Sequence, residues 1–135
     1  MNRPTAFLLL AALFAGACDH ATMSEDTPAV GVEWRLETIQ PAGGAATAVD
    51  PARYSLLLDA SGRASLRSDC NSCGGGYTLA GKAVGFGPLA CTRAYCGDAS
   101  FDPEYPRILE GATSIEADGS RLRVSGAAGT LVYTR

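Results

Sequence analysis

Apolar and charged residues alternate from Val32 to Glu37, the period of a half-buried strand with Val32, Trp34 and Leu36 on its core face. Tyr54 to Asp59 forms a second apolar stretch. Ala60-Ser61-Gly62-Arg63 then turns tightly, and Ala64 to Ser68 returns as the hairpin partner. Tyr77–Leu79 and Lys82–Phe86 flank Ala80-Gly81 as another short hairpin. Near the end, Ile115 opens a strand that turns at Asp118-Gly119. Arg121–Ser125 comes back with Leu122 and Val124 inward, and Thr130–Thr134 closes with Leu131 and Tyr133 on one face. Between these lie a Gly-, Ala- and Pro-rich loop from Gln40 to Pro51, a break at Gly74-Gly75-Gly76, and a long irregular segment from Gly87 to Ser100. One short helix is predicted. It starts at Pro103 with Asp102 as its cap, or at Pro106, turns Ile108 and Leu109 to the core, and stops at Gly111. The pattern predicts an α+β domain, mostly an antiparallel β-sheet of short strands with one short helix.

The first residues follow a different pattern. Arg3 is the only charge before an apolar run from Ala6 to Ala15, too short for the about 20 residues of a membrane span. A basic start, a short apolar run and the small residues Ala15-Gly16-Ala17 before Cys18 have the layout of an export signal. The Cys after small residues resembles a bacterial lipobox, which implies lipidation of the Cys18 thiol. Ala15-Gly16-Ala17 also fits ordinary signal-peptide cleavage. The predicted organisation is a signal peptide over 1–17, a lipidated Cys and flexible tether over 18–30, and one domain over 31–135. The tether holds His20, Ser24, Glu25, Asp26 and Pro28 without apolar periodicity.

Charge narrows the partners. The chain carries a net charge of −3, and loss of Arg3 with the signal makes the exported chain more acidic. A mildly acidic surface with interspersed signs argues against nucleic acid. The expected partners are the membrane, through the lipid anchor, and an envelope protein.

Candidate chemistry is sparse. Cys70-Asn71-Ser72-Cys73 is a C-x-x-C, but three glycines follow where a redox motif opens a helix. With Cys91 and Cys96 the spacing also resembles a zinc ribbon. Export favours oxidation over both readings. His20 is the only histidine and stands in the tether, so no Ser–His or Cys–His pair forms within the domain. Asp59, Asp69, Asp98, Asp102 and Glu104 are available as paired carboxylates, though turns, caps and solvent account for each. Asp69 and Asn71 read as turn residues or as a ligand-contacting loop. Tyr95, Phe101 and Tyr105 read as an exposed patch or as packing over the sheet edge.

Trp34 and Leu36 in the first strand, Tyr54-Ser55-Leu56 before Gly62-Arg63, Cys70-Asn71 before Gly75-Gly76-Tyr77, Thr92-Arg93 before Cys96, Leu109, Leu122 and Leu131-Val132-Tyr133 stand in the order found in one family. From Val32 to Arg135 the chain resembles the META domain family of HslJ-like envelope lipoproteins. Cys73 and Cys91 are additions to the simplest family pattern. The resemblance implies an envelope or stress-associated domain rather than a catalyst.

The four cysteines of the domain are expected to form disulfides paired as Cys70–Cys96 and Cys73–Cys91. Local pairing within each cluster closes rings too small to constrain the unfolded chain much. An antiparallel hairpin between the clusters would bring Cys73 to Cys91 with the other pair further out. The expectation is therefore a non-enzymatic cell-envelope lipoprotein domain facing the periplasm, with a binding, structural or stress-maintenance role. It would be lipidated at Cys18 and would have no cofactor and no metal. A thiol-redox or zinc-binding protein using Cys70, Cys73, Cys91 and Cys96 is the alternative.

Overall fold

A computed structural model describes residues 28–135. The strands are β1 (Glu33–Pro41), β2 (Thr47–Ala48), β3 (Tyr54–Leu58), β4 (Arg63–Ser68), β5 (Asn71–Ala80), β6 (Ala83–Phe86), β7 (Ala90–Cys91), β8 (Ala112–Asp118), β9 (Arg121–Gly126) and β10 (Gly129–Thr134). One helix, α1 (Glu104–Glu110), precedes β8. The strands run antiparallel in the order β10-β9-β8-β6-β5-β4-β3-β1, and β1 also pairs with β10. The sheet thus closes on itself as an eight-stranded antiparallel barrel. β2 lies outside the ring beside β1, and β7 continues the place of β6 beside β5.

The α+β expectation is corrected by this closure. The described fold is mostly β, 53% strand against 6% helix. Seven residues make about two turns of α1, too little to form a layer of its own. The helix is instead a plug. It puts Tyr105, Pro106, Ile108 and Leu109 into one end of the barrel.

Alternation sets which side chains enter the interior. In β4 and β9 every second residue is buried: Ala64, Leu66 and Ser68, then Leu122 and Val124. Two irregularities break the period. The register shifts between Leu36 and Thr38, so that Ile39 is buried three places after Leu36; a second shift between Ala112 and Ser114 does the same for Ala112 and Ile115. Such bulges bend the strands that they interrupt, which helps a small sheet to close. Trp34, Leu36, Leu56, Leu58, Leu131 and Tyr133 fill the interior together with the helix plug. Each large apolar side chain buried there contributes about 1.5–3 kcal/mol.

Two other expectations change. Gly74-Gly75-Gly76 does not interrupt regular structure but lies inside β5, paired with Ser65, Ala64 and Arg63. A Cβ on Gly75 would stand 2.7 Å from the carbonyl oxygen of Pro88, so the glycine lets the next loop cross close over the strand. The Gln40–Pro51 loop contains the end of β1 and the short β2.

The pairing registers define two ends. One carries residues 28–32, where the described chain joins the barrel, the turns at 59–62, 81–82 and 119–120, and the C-terminus. Ala29 is buried there and accepts a hydrogen bond from the indole of Trp34 at 2.9 Å. The opposite end carries the 42–53 connection, the turn at Asp69-Cys70, the 87–103 segment and α1.

Candidate functional site

The 87–103 segment has almost no regular structure, so its conformation must come from outside itself. Most of what holds it comes from the β4–β5 turn. Asp69 sits there with φ at +58° and is only 2% exposed. Its carboxylate pairs with the Arg53 guanidinium and accepts from the Tyr54 hydroxyl at 3.3 Å. The Tyr54 hydroxyl in turn accepts the Phe101 N–H at 3.0 Å.

Asn71, 1% exposed, uses both ends of its amide. Its Oδ1 accepts from the Thr92 hydroxyl and the Ala94 N–H, each at 2.8 Å. Its Nδ2 donates to the Ala94 carbonyl at 2.9 Å and to Asp102 Oδ2 at 2.8 Å. The other oxygen of Asp102 accepts from the Ser68 hydroxyl at 2.8 Å. One asparagine therefore replaces the ladder that this segment lacks. Among the described residues no buried side-chain nitrogen or oxygen lacks a partner.

Two covalent links complete the pinning. Cys70 bonds Cys96 with Cα atoms 5.6 Å apart, and Cys73 bonds Cys91 with Cα atoms 4.0 Å apart. Cys70 and Cys73 thus belong to different disulfides, in and beside a strand rather than at a helix start. All four sulfurs are consumed. Among the described residues no group of three His, Cys, Asp or Glu side chains is gathered to hold a metal.

The pinned segment and α1 enclose an open groove of about 550 Å³, lined among others by Leu89, Arg93, Tyr95, Pro103, Arg107 and Glu110. It opens where the barrel seam is thinnest. β6 and β8 are aligned only at Ala83 and Ser114, and beyond that point Glu110 Oε1 bridges to the Leu89 N–H at 2.8 Å. Arg93 and Arg107 are exposed, and neither makes an ion pair among the described residues. Tyr95 is 79% exposed, and its hydroxyl donates to Asp98, a bond that raises the phenol's pKa. A second groove, about 740 Å³, runs along the other end of the barrel. Its charges are largely matched, Lys82 with Glu116 at 2.8 Å and Arg121 with Glu37 at 3.1 Å.

The candidate carboxylates do not form an acid–base pair at one cleft. Asp59 lies in a turn at the far end, held below the ordinary carboxylate pKa by the Ser61 hydroxyl and the Arg63 N–H. Asp69 and Asp102 are each engaged in the pin. Asp102 is not the helix cap, since no side chain caps α1; Glu104 stands in its first turn. Tyr105 is fully buried rather than part of an exposed patch, and Phe101 is half-buried. Asp98 touches only Tyr95 among these groups. Cys18 and His20 lie outside the described residues. Arg53, Thr92 and Arg107 acquire roles that no local pattern announces. Arg53 and Thr92 reach partners distant in sequence and Arg107 comes to the groove only through the fold, and the only signal was Thr92-Arg93 standing beside the second cysteine pair.

The fold recurs in solved structures. A protein from Burkholderia xenovorans, solved by NMR, is 22% identical with a TM-score of 0.65, covering 100% of this chain and 97% of its own. A second NMR structure is 23% identical with a TM-score of 0.58, covering 76% of this chain and 86% of its own. A DUF4847 family protein from Bacteroides vulgatus is 12% identical with a TM-score of 0.57, covering 78% and 93%. These likenesses show a shared barrel and carry no function with them. No curated protein matches the chain. The META domain model matches residues 27–135, and the chain belongs to the META domain family.

Proposed function

We propose that this chain is a non-enzymatic cell-envelope lipoprotein, anchored through Cys18 and facing the periplasm, whose barrel presents the groove between β7 and α1 as a binding surface. The observation that carries this reading is the placement of the groove. Residue 28 joins the barrel at one end, and the groove opens at the other, between two exposed arginines. An anchor ten residues before that junction would hold the first end toward the membrane and leave the groove facing away.

The rest of the molecule is consistent with a scaffold. The barrel interior is filled by side chains, so ligands are met at the surface. The polar residues around Asn71 are spent on holding the loop, which leaves Arg93, Tyr95 and Arg107 as its outward-facing chemistry. Tyr and Arg on a rigid support are the residue types that dominate binding energetics at interfaces.

A photoreactive residue at position 95 in the anchored protein tests the reading in intact envelopes. The expected result is a discrete adduct that fades in the Arg93→Gln background. The same probe at position 82, on the opposite end, should not give it. Identical adducts from both positions, or none from position 95, would contradict the binding surface.

A further inference from the structure

The backbone of the pinned loop faces two ways. Thr92 donates its N–H to the Ser72 carbonyl at 3.0 Å, and Ala94 bonds Asn71 through both its N–H and its carbonyl. Even-numbered positions therefore point toward β5. Leu89, Cys91 and Arg93 alternate with Ala90, Thr92 and Ala94 and point away from it, as Leu89 shows by donating its N–H to Glu110 on α1. Cys91 stands opposite Cys73 with Cα atoms 4.0 Å apart, the close spacing of a non-hydrogen-bonded antiparallel pair. Its N–H and carbonyl are thus turned outward, on the side where Leu89 meets α1. Among the described residues, no loop or side-chain hydrogen bond reaches the N–H or carbonyl of Arg93, and the close Cys73–Cys91 pairing leaves those of Cys91 out of the β5 ladder. Both residues line the groove.

An edge of this kind offers alternating donors and acceptors to another chain. Here it is short and held rigid by two disulfides and the Asn71 amide. Beside it stand Arg93 and Arg107, two guanidiniums without a carboxylate partner among the described residues. Guanidinium pairs carboxylate or phosphate through parallel hydrogen bonds. A phosphate offers only acceptors and cannot use the outward carbonyls of Cys91 and Arg93. An extended peptide uses both. The two carboxylates in the groove are occupied: Asp102 by Ser68 and Asn71, and Glu110 by the Leu89 N–H.

We propose that the groove takes an extended, acidic peptide segment as an added strand along Cys91 and Arg93, its carboxylates paired with Arg93 and Arg107. This rests on the reading of the groove as a binding surface and names the class of its ligand. Tyr95 supplies the apolar wall at the mouth, and the groove's volume suits a segment of a few residues.

The test uses the exported full chain with Cys18→Ser, ¹⁵N-labelled, titrated with an acetylated, amidated hexapeptide of alternating valine and glutamate. The expected result is saturable shifts at the Cys91 and Arg93 amides. Arg93→Gln and Arg107→Gln should each weaken binding about ten-fold, as should replacing the peptide's glutamates by glutamines. Both arginines are exposed, and unchanged core resonances confirm that the variants fold. Inorganic phosphate and phosphatidylglycerol vesicles are run at matched ionic strength. The proposal is overturned by equal binding of the glutamine peptide, by absent shifts at Cys91 and Arg93, or by tighter arginine-dependent binding of phosphate or vesicles. If the peptide fails while the position-95 adduct persists, the ligand class falls and the binding surface stands.

Discussion

Asn71 Nδ2 and Asp102 Oδ2 meet at 2.8 Å across 31 residues of sequence, tying the start of β5 to the residues just before α1. The same amide holds Thr92 and Ala94, so one side chain fixes both walls of the groove. The Ala94 N–H, the Thr92 hydroxyl proton and Asp102 Oδ2 find their partner in it.

Asn71→Ala should therefore cost about 2–4 kcal/mol, because it leaves partly buried partners without hydrogen bonds. Asn71→Asp should cost more, since it removes the donor and sets a carboxylate against Asp102. Urea denaturation under oxidising conditions measures both. An Asp variant as stable as the wild type would show that the amide is not the pin.

Alkali should unfold the barrel. Burial raises the pKa of Tyr105 and of Tyr133 above the ordinary 10.0; for Tyr105, the hydrogen bond from Tyr133 opposes the shift. A raised folded-state pKa means that stability is fully present below the unfolded value and is lost as pH rises above about 10. Tyr105 and Tyr133 should release their protons only with loss of far-UV β signal. Phenolate absorbance followed against circular dichroism checks this. Full tyrosine ionisation of the folded protein would contradict the burial of this pair.

The disulfides should differ in accessibility. Cys70 is exposed, whereas Cys73 is buried against the core. Limited dithiothreitol followed by alkylation and peptide mapping should label Cys70 and Cys96 before Cys73 and Cys91. Loss of either disulfide through paired Cys→Ser variants should cost about 2–4 kcal/mol. Equal labelling of all four cysteines at early times would refute the ordering.

Gly75→Ala places a Cβ 2.7 Å from the Pro88 carbonyl oxygen and 3.0 Å from Leu89 Cδ2. The expected cost is about 1–3 kcal/mol, with chemical-shift changes concentrated at Leu89, Cys91 and Arg93. Shifts confined to β4 would mean that the loop does not cross there.

Cys18→Ser tests the anchor separately. The variant should lose incorporation of labelled palmitate and leave the membrane fraction, or fail to be processed. Partition and labelling like the wild type would dismiss lipidation at Cys18.

The strands were legible because alternation is local. Trp34 and Leu36, Leu122 and Val124, and Leu131 and Tyr133 each point inward as their spacing predicts. Closure was not legible, because it depends on β1 meeting β10 across nearly the whole domain, with a bulge that no propensity marks. The helix misled the class assignment for the same reason. Ile108 and Leu109 read as a core face, but nothing local says whether that face covers a sheet or plugs a barrel. Gly74-Gly75-Gly76 reads as a break because glycine weakens strands, and at Gly75 the approach of Pro88 explains a glycine within one. At the site, the Cys-Asn and Thr-Arg pairs stood out, whereas Arg107 is one ordinary exposed helix residue until the fold brings it to the groove.

Amide hydrogen exchange along the pinned loop decides whether this segment is rigidly held on one side and free on the other. The Thr92 and Ala94 amides, bonded to Ser72 and Asn71, should exchange as slowly as amides of the paired barrel strands. The Arg93 amide between them, facing the groove, should exchange fast. Uniformly fast exchange from Thr92 to Ala94 would contradict the pin, and uniform protection would contradict the open edge.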